Sequence, residues 1–248
     1  MALGKSLFPE GGANDRFWAI AGASLFASLL ERAEVGGYAS NSRLAEMLTT
    51  ASLSDVREAI RGTAGQRFMD KEAGAMPTNL LATLTATLEA FTVLPDVDEA
   101  EAFSIKDFVR NESDKWLFIQ MRAEDEASIR PLVSAWYDIA ISAVLSLPTE
   151  DDDLPMEKRR RVWCALDEVA RLQRLPALAP GVREGRGKGL AVILGLQSLG
   201  DIRDAYGKDK AEAILGQLQT RMVLRATEPD TAAWLQKLLG SAEKERTQ

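Results

Sequence analysis

Arg161-Val162-Trp163-Cys164-Ala165-Leu166-Asp167-Glu168 is the stretch whose reading decides the fold. Its short apolar run has no helical period and ends in two adjacent carboxylates, the pattern of a buried strand with acid at its carboxyl end. Further on, Ala191-Val192-Ile193-Leu194-Gly195-Leu196-Gln197-Ser198 repeats the pattern with an uncharged amide in place of the acids. Strands buried on both faces belong to parallel sheets, and ligands of such sheets bind outside the carboxyl ends of the strands. Asp167, Glu168 and Gln197 are therefore expected together at one sheet edge, on adjacent strands. Each also has a plainer reading: acids suit the start of a following helix, and an amide can cap one.

Outward from this pair, two more short apolar runs, 116–120 and 221–224, are expected to be strands, as are 162–166 and 190–196. Helices are expected over 127–145, 175–186, 198–218 and 230–239, the last stopped by Gly240. Alternating strands and helices give a three-layer α/β parallel sheet. Residues 1–100 read differently, as an all-α domain. Phe17, Leu25, Phe26, Leu29 and Leu30 give helical spacing after Asn14 or Asp15, and Gly36-Gly37 breaks the run. Further helices start near 40–42, after Ser54, and after Pro77-Thr78 with Leu80, Leu81, Leu84, Leu88 and Phe91 on one stripe. The acidic linker at 96–101 opens the second domain, 101–248.

The composition closes several routes. A chain of 248 residues with 46% hydrophobic and 27% charged content has the balance of a globular protein. It contains no histidine and a single cysteine, Cys164. Histidine-dependent nucleophile triads, imidazole or multi-thiolate zinc sites and intrachain disulfides are excluded, and a reducing compartment is expected. Metal chemistry would use carboxylates and hydroxyls, which suits Mg2+. The apolar stretches 17–30 and 132–147 are too short to span a bilayer, and the second carries Asp138, so both read as core helices. The net charge of −7 argues against a nucleic-acid footprint over the whole surface. Basic residues nevertheless gather locally, at 158–161 and at Arg171, Arg174, Arg183, Arg186 and Lys188. Arg183-Glu-Gly-Arg186-Gly-Lys188-Gly is a glycine-rich turn that could reach a phosphate, or simply end a helix with cations.

The segments SIKDFV, LFIQMR, ASIRPLVSAWYDIAISAVLSLP, RRVWCALDEVARLQRLPAL, EGRGKGLAVILGLQSLGDIRDAYG and TRMVLRATEPDTAAWLQKLLG, in this order and spacing, resemble the nucleotide-binding domain of conjugative type IV secretion coupling proteins of the TraD and TrwB type. The helical first hundred residues resemble the all-α domain that this family inserts between the two halves of its nucleotide site. The resemblance implies a RecA-like, hexameric ATPase at the cytoplasmic side of the bacterial inner membrane, feeding relaxase-bound single-stranded DNA to a secretion channel. It implies ATP and Mg2+ as cofactors, and DNA, relaxosome proteins and the channel as partners. By position, Asp167 would hold magnesium, Glu168 would polarise the attacking water, Gln197 would sense the γ-phosphate and Arg186 would serve a neighbouring subunit as arginine finger. A phosphate-binding loop needs G-x-x-x-x-G-K-[ST] between a strand and a helix. Gly4-Lys5-Ser6 lacks the first glycine and leads into Phe8-Pro9, so the family's loop and membrane helices would lie before Met1, and its final strands after the end. The chain alone is expected to be inactive. A second reading makes it a non-catalytic module that binds DNA or relaxosome proteins.

Overall fold

The computed structural model describes residues 2–9, 16–35, 40–70, 74–97, 101–111, 114–149, 155, 158–225 and 227–240. Helices come first: α1 (Ala2–Leu7), α2 (Arg16–Val35), α3 (Asn41–Thr49), α4 (Leu53–Ala59), α5 (Met76–Thr87), α6 (Ile105–Arg110) and α7 (Glu126–Leu145). Strands β1 (Val162–Leu166) and β2 (Leu190–Leu194) then alternate with α8 (Leu178–Glu184), α9 (Leu199–Tyr206), α10 (Lys208–Gln217) and α11 (Pro229–Leu239). The expected caps Asn14, Asp15 and Gly36-Gly37 lie outside the described residues. The third helix starts at Leu53, because Ser52 and Asp55 close a reciprocal capping box there.

The first apolar cluster is built on α2. Leu25, Phe26 and Leu29 are fully buried against Leu7, Phe8, Leu80, Leu84, Leu88 and Phe91. Each such side chain removed from water contributes about 1.5–3 kcal/mol. Gly4 lets α1 lie on α2, since a Cβ there would stand 2.8 Å from the Ala23 carbonyl oxygen. Gly4-Lys5-Ser6 is thus helical and committed to packing. Helix α7 serves both clusters: Leu132 and Ala135 face the first, while Val133, Ile141, Ala143 and Val144 face the second. Asp138 of α7 is buried and accepts from Ser6 Oγ at 2.5 Å and from the Ala177 amide at 2.6 Å, tying α1 and the start of α8 to α7.

β1 and β2 are parallel, with Val162 opposite Leu190 and Leu166 opposite Leu194. Their inner face, with Leu166 and Leu190, packs against α7, α8, α9 and α10 in the second cluster. On the other face Trp163 is 61% exposed and Ile193 53%.

The expectation of four strands is corrected to two, and helices cover one face of the sheet among the described residues. Segments 116–120 and 221–224 carry no strand. A strand is made by backbone bonds to a neighbour, and these segments find none among the described residues. Trp116, Phe118, Met222 and Leu224 are 74–91% exposed. β2 stops at Leu194, short of 196. Helix 198–218 is two helices, broken at Gly207 with φ +79°. Helix 175–186 begins at Leu178 and tightens to a 3-10 turn after Glu184. Pro180 falls in its first turn, where a missing N–H costs nothing, and Gly181 lets it approach Ile141. Helices α1 and α6 have no counterpart in the expected set.

Candidate functional site at the carboxyl edge of the sheet

The chain leaves β1 through Asp167 and Glu168, and Glu168 adopts φ +51°, ψ +53°. It is the sole non-glycine with positive φ among the described residues. A left-handed glutamate costs on the order of 1–2 kcal/mol, held here by its surroundings. The Arg171 amide donates to the Glu168 carbonyl at 2.8 Å, closing a 3-10 turn, and the Val169 amide donates to Gly195 O at 3.2 Å. Gly195 in turn donates to Leu166 O at 2.8 Å. The two strand ends are thus stitched together around Gly195, where a Cβ would lie 2.7 Å from Asp167 Oδ1.

Gln197 leaves β2 beside this turn and precedes α9, which Ser198 caps by accepting from the Asp201 amide at 3.2 Å. Gln197 Nε2 donates to Glu168 Oε1 at 2.5 Å, and Arg171 Nη1 donates to Glu168 Oε2 at 3.0 Å. Arg171 first, and Gln197 second, hold the Glu168 carboxyl below the usual glutamate range. Arg171 also pairs with Glu126 at the start of α7, which accepts from Arg130 Nη2 at 2.7 Å. Beside the pair opens a cleft of ≈ 590 Å³, lined among others by Glu168, Arg171, Gln173, Arg174, Gln197 and Asp201.

Asp167, Glu168 and Gln197 are therefore gathered at one edge on adjacent strands. Asp167 is exposed there. Arg186 is not with them. It sits exposed in the turn before β2, at the strand's amino end, separated from Gln197 by roughly 17 Å of strand. Cys164 lies on the inner face, where burial pushes its thiol up to about 11, so it is no nucleophile near neutral pH. No cluster of three or more histidine, cysteine or acidic side chains able to hold a metal occurs among the described residues. A magnesium ion shared between one carboxylate, water and phosphates needs none. The exposed Asp167 carboxylate, standing over the space that the missing Cβ of Gly195 leaves, fits that role. Sequence reasoning missed Glu126 and Arg171. Arg171 follows Glu168 at turn spacing and was open to detection, whereas Glu126 is distant in sequence and reaches the site only through folding.

A profile of the type IV secretion-system coupling protein DNA-binding domain matches residues 1–248. The chain is 27% identical over 243 residues to coupling protein TraD of Escherichia coli (strain K12), covering 96% of this chain and 33% of that protein. Among solved structures, the unbound monoclinic form of bacterial conjugative coupling protein TrwBdeltaN70 superposes with a TM-score of 0.77 at 30% identity, over 88% of this chain and 49% of that one. TrwB in complex with ADP and Mg2+ matches at 0.75 and 30% identity, over 87% and 50%. The chain spans about a third of the length of TraD and half that of the TrwB structures. On a match over its whole length, the chain belongs to the family of type IV secretion-system coupling protein DNA-binding domains.

Proposed function

We propose that this chain is the part of a conjugative coupling ATPase that carries the catalytic carboxylates and the sensor, within a RecA-like sheet completed by further strands, and that its helical portion, 1–100, is a separate all-α domain. The observation that carries this reading is the 2.5 Å contact between Gln197 and Glu168 across the ends of adjacent parallel strands. The TrwB neighbours were solved with ADP and Mg2+ and with a non-hydrolysable GTP analogue, which supports a nucleotide at the equivalent edge. Mg2+ bound with ATP supplies neutralisation of phosphate charge. Asp167 would hold that ion through water. Glu168 orients and polarises the attacking water, and Gln197, bonded to it, reports at the same edge whether a γ-phosphate is present. Arg186, remote from this edge in its own chain, serves the neighbouring subunit of a hexameric ring, because guanidinium stays charged and matches phosphate oxygens. DNA is the substrate moved, delivered with relaxase and relaxosome proteins to the secretion channel at the inner membrane.

The test compares the purified chain with a chimera in which it replaces the matching segment of TrwB. Backbone amides of a phosphate-binding loop supply most phosphate contacts, so the chain alone should bind nucleotide weakly and show no turnover. The chimera should hydrolyse ATP and lose that activity on Glu168→Gln. Turnover by residues 1–248 alone, or an active Glu168→Gln chimera, would overturn the proposal.

A further inference from the structure

Arg171 stands between two carboxylates that belong to different elements. Its Nη1 donates to Glu168 Oε2 at 3.0 Å and its Nη2 to Glu126 Oε2. Gln197 takes the other Glu168 oxygen, and Arg130 pairs with the other Glu126 oxygen at 2.7 Å. A continuous line, Arg130, Glu126, Arg171, Glu168, Gln197, thus runs along the cleft from the first turn of α7 to the end of β2. The remaining charged groups on the cleft are Arg174, Asp201 and Asp204, and Asp167 precedes Glu168 in the chain.

We infer that Arg171 is a positioning residue that sets the availability of Glu168, and that Glu126 tunes it by competing for the same guanidinium. The inference rests on reading Glu168 as the water-orienting carboxylate. Both Glu168 oxygens accept strong bonds, so a water can be oriented only when one of them is released or shared. Charge-assisted bonds from arginine are about twice as strong as neutral ones, which makes the Arg171 bond the larger of the two restraints. A guanidinium divided between two acids holds each less firmly than one directed at a single acid. A shift of the α7 amino end toward Arg171 would draw the guanidinium from Glu168 and free Oε2; a shift away would lock it. The order of causes fits this geometry: Arg171 depresses the Glu168 carboxyl most, and the charge of Glu126 opposes it.

The test is a carbon-detected NMR titration of the Glu168 carboxyl in the 248-residue chain and in Arg171→Gln, Arg171→Lys and Glu126→Gln. Arg171→Gln should raise the midpoint, Arg171→Lys should raise it less, and Glu126→Gln should lower it, because a competitor and a like charge are both removed. Simple loosening of the fold would move every variant upward, toward the value of a free glutamate. An unchanged midpoint in Arg171→Gln, or an upward move in Glu126→Gln, would overturn the inference. Should Arg171→Gln fail to fold, the opposite signs expected of Arg171→Lys and Glu126→Gln decide it. Activity of the Glu168→Gln chimera judges the catalytic reading separately, since the titration reads only the coupling.

Discussion

Gly195 occupies a place where any side chain would push on both carboxylates at once. A Cβ there meets Asp167 Oδ1 at 2.7 Å, the Glu168 amide at 3.2 Å and the Asp167 Cα at 3.3 Å. The last two are backbone atoms and cannot step aside as a side-chain tip can. Gly195→Ala should therefore destabilise the chain by about 1–3 kcal/mol, as overpacking does, read as a lower urea midpoint with an unchanged slope. Asp138 makes the opposite kind of test. Burial raises its carboxyl, against the smaller pull of the bonds from Ser6 and Ala177. An acid whose folded pKa exceeds its unfolded one keeps its proton longer in the folded state, so stability falls as pH rises from about 4 toward the folded value and levels off above it. Asp138→Asn does not titrate and can keep both bonds. Its stability relative to the parent should grow as pH rises from about 4 toward neutrality, measured by urea unfolding at several pH values. Growth in the other direction would mean that the ionised form is the one the fold favours. Asp138→Ala strands the Ala177 amide and should cost about 1–3 kcal/mol. At this scale Asp167, Glu168 and Gln197 were legible, because a strand ending in a polar group is a local pattern. Arg171 was half legible, and Glu126 was not, because its reach to the site depends on where α7 packs.

At the scale of elements, the edge depends on how β2 begins and how α9 starts. Gly189 has φ +81°, and a Cβ there would stand 2.6 Å from the Arg160 carbonyl oxygen. Its own carbonyl accepts from the Val162 amide at 2.9 Å, the first bond joining the strands. Gly189→Ala should cost on the order of 2–3 kcal/mol, from the left-handed backbone and the clash together, and weaken amide-exchange protection across β1 and β2. Ser198→Ala removes the cap next to Gln197 and should cost about 1 kcal/mol, read in thermal unfolding. Helices α2, α5 and α7 were legible from apolar spacing, and β1 from its acid-terminated run. The runs at 116–120 and 221–224 were misjudged because hydrophobic pattern reports fitness for a sheet, while a strand also needs a neighbour that sequence pattern does not supply. Gly207 was overlooked as a break because the apolar spacing continues through it.

For the whole molecule, the uncovered sheet face is the dominant feature. Parallel sheets are normally covered on both sides, yet Trp163 and Ile193 are open here, and the extended runs with Trp116, Phe118, Met222 and Leu224 add more exposed apolar surface. The purified chain should self-associate and bind a hydrophobic dye, and the pair Trp163→Lys with Ile193→Glu should reduce both without lowering the unfolding temperature. Light scattering that reports a clean monomer with no dye binding would contradict this. No helix among the described residues is long and apolar enough to cross a membrane.

The arrangement of Glu168 at one end of the strands and Arg186 at the other leads to the most direct test, a mixed-ring assay on the TrwB chimera. Arg186→Ala alone and Glu168→Gln alone should each abolish DNA-stimulated ATP hydrolysis, an arginine finger being worth roughly 10³ to 10⁵ in rate. Arg186→Ala should leave nucleotide affinity nearly intact. Mixing the two variants should restore part of the activity, because a Glu168→Gln subunit still offers Arg186 to a neighbour whose carboxylate is whole. Full turnover by Arg186→Ala alone, or mixed rings as inactive as either parent, would contradict a nucleotide site shared between subunits.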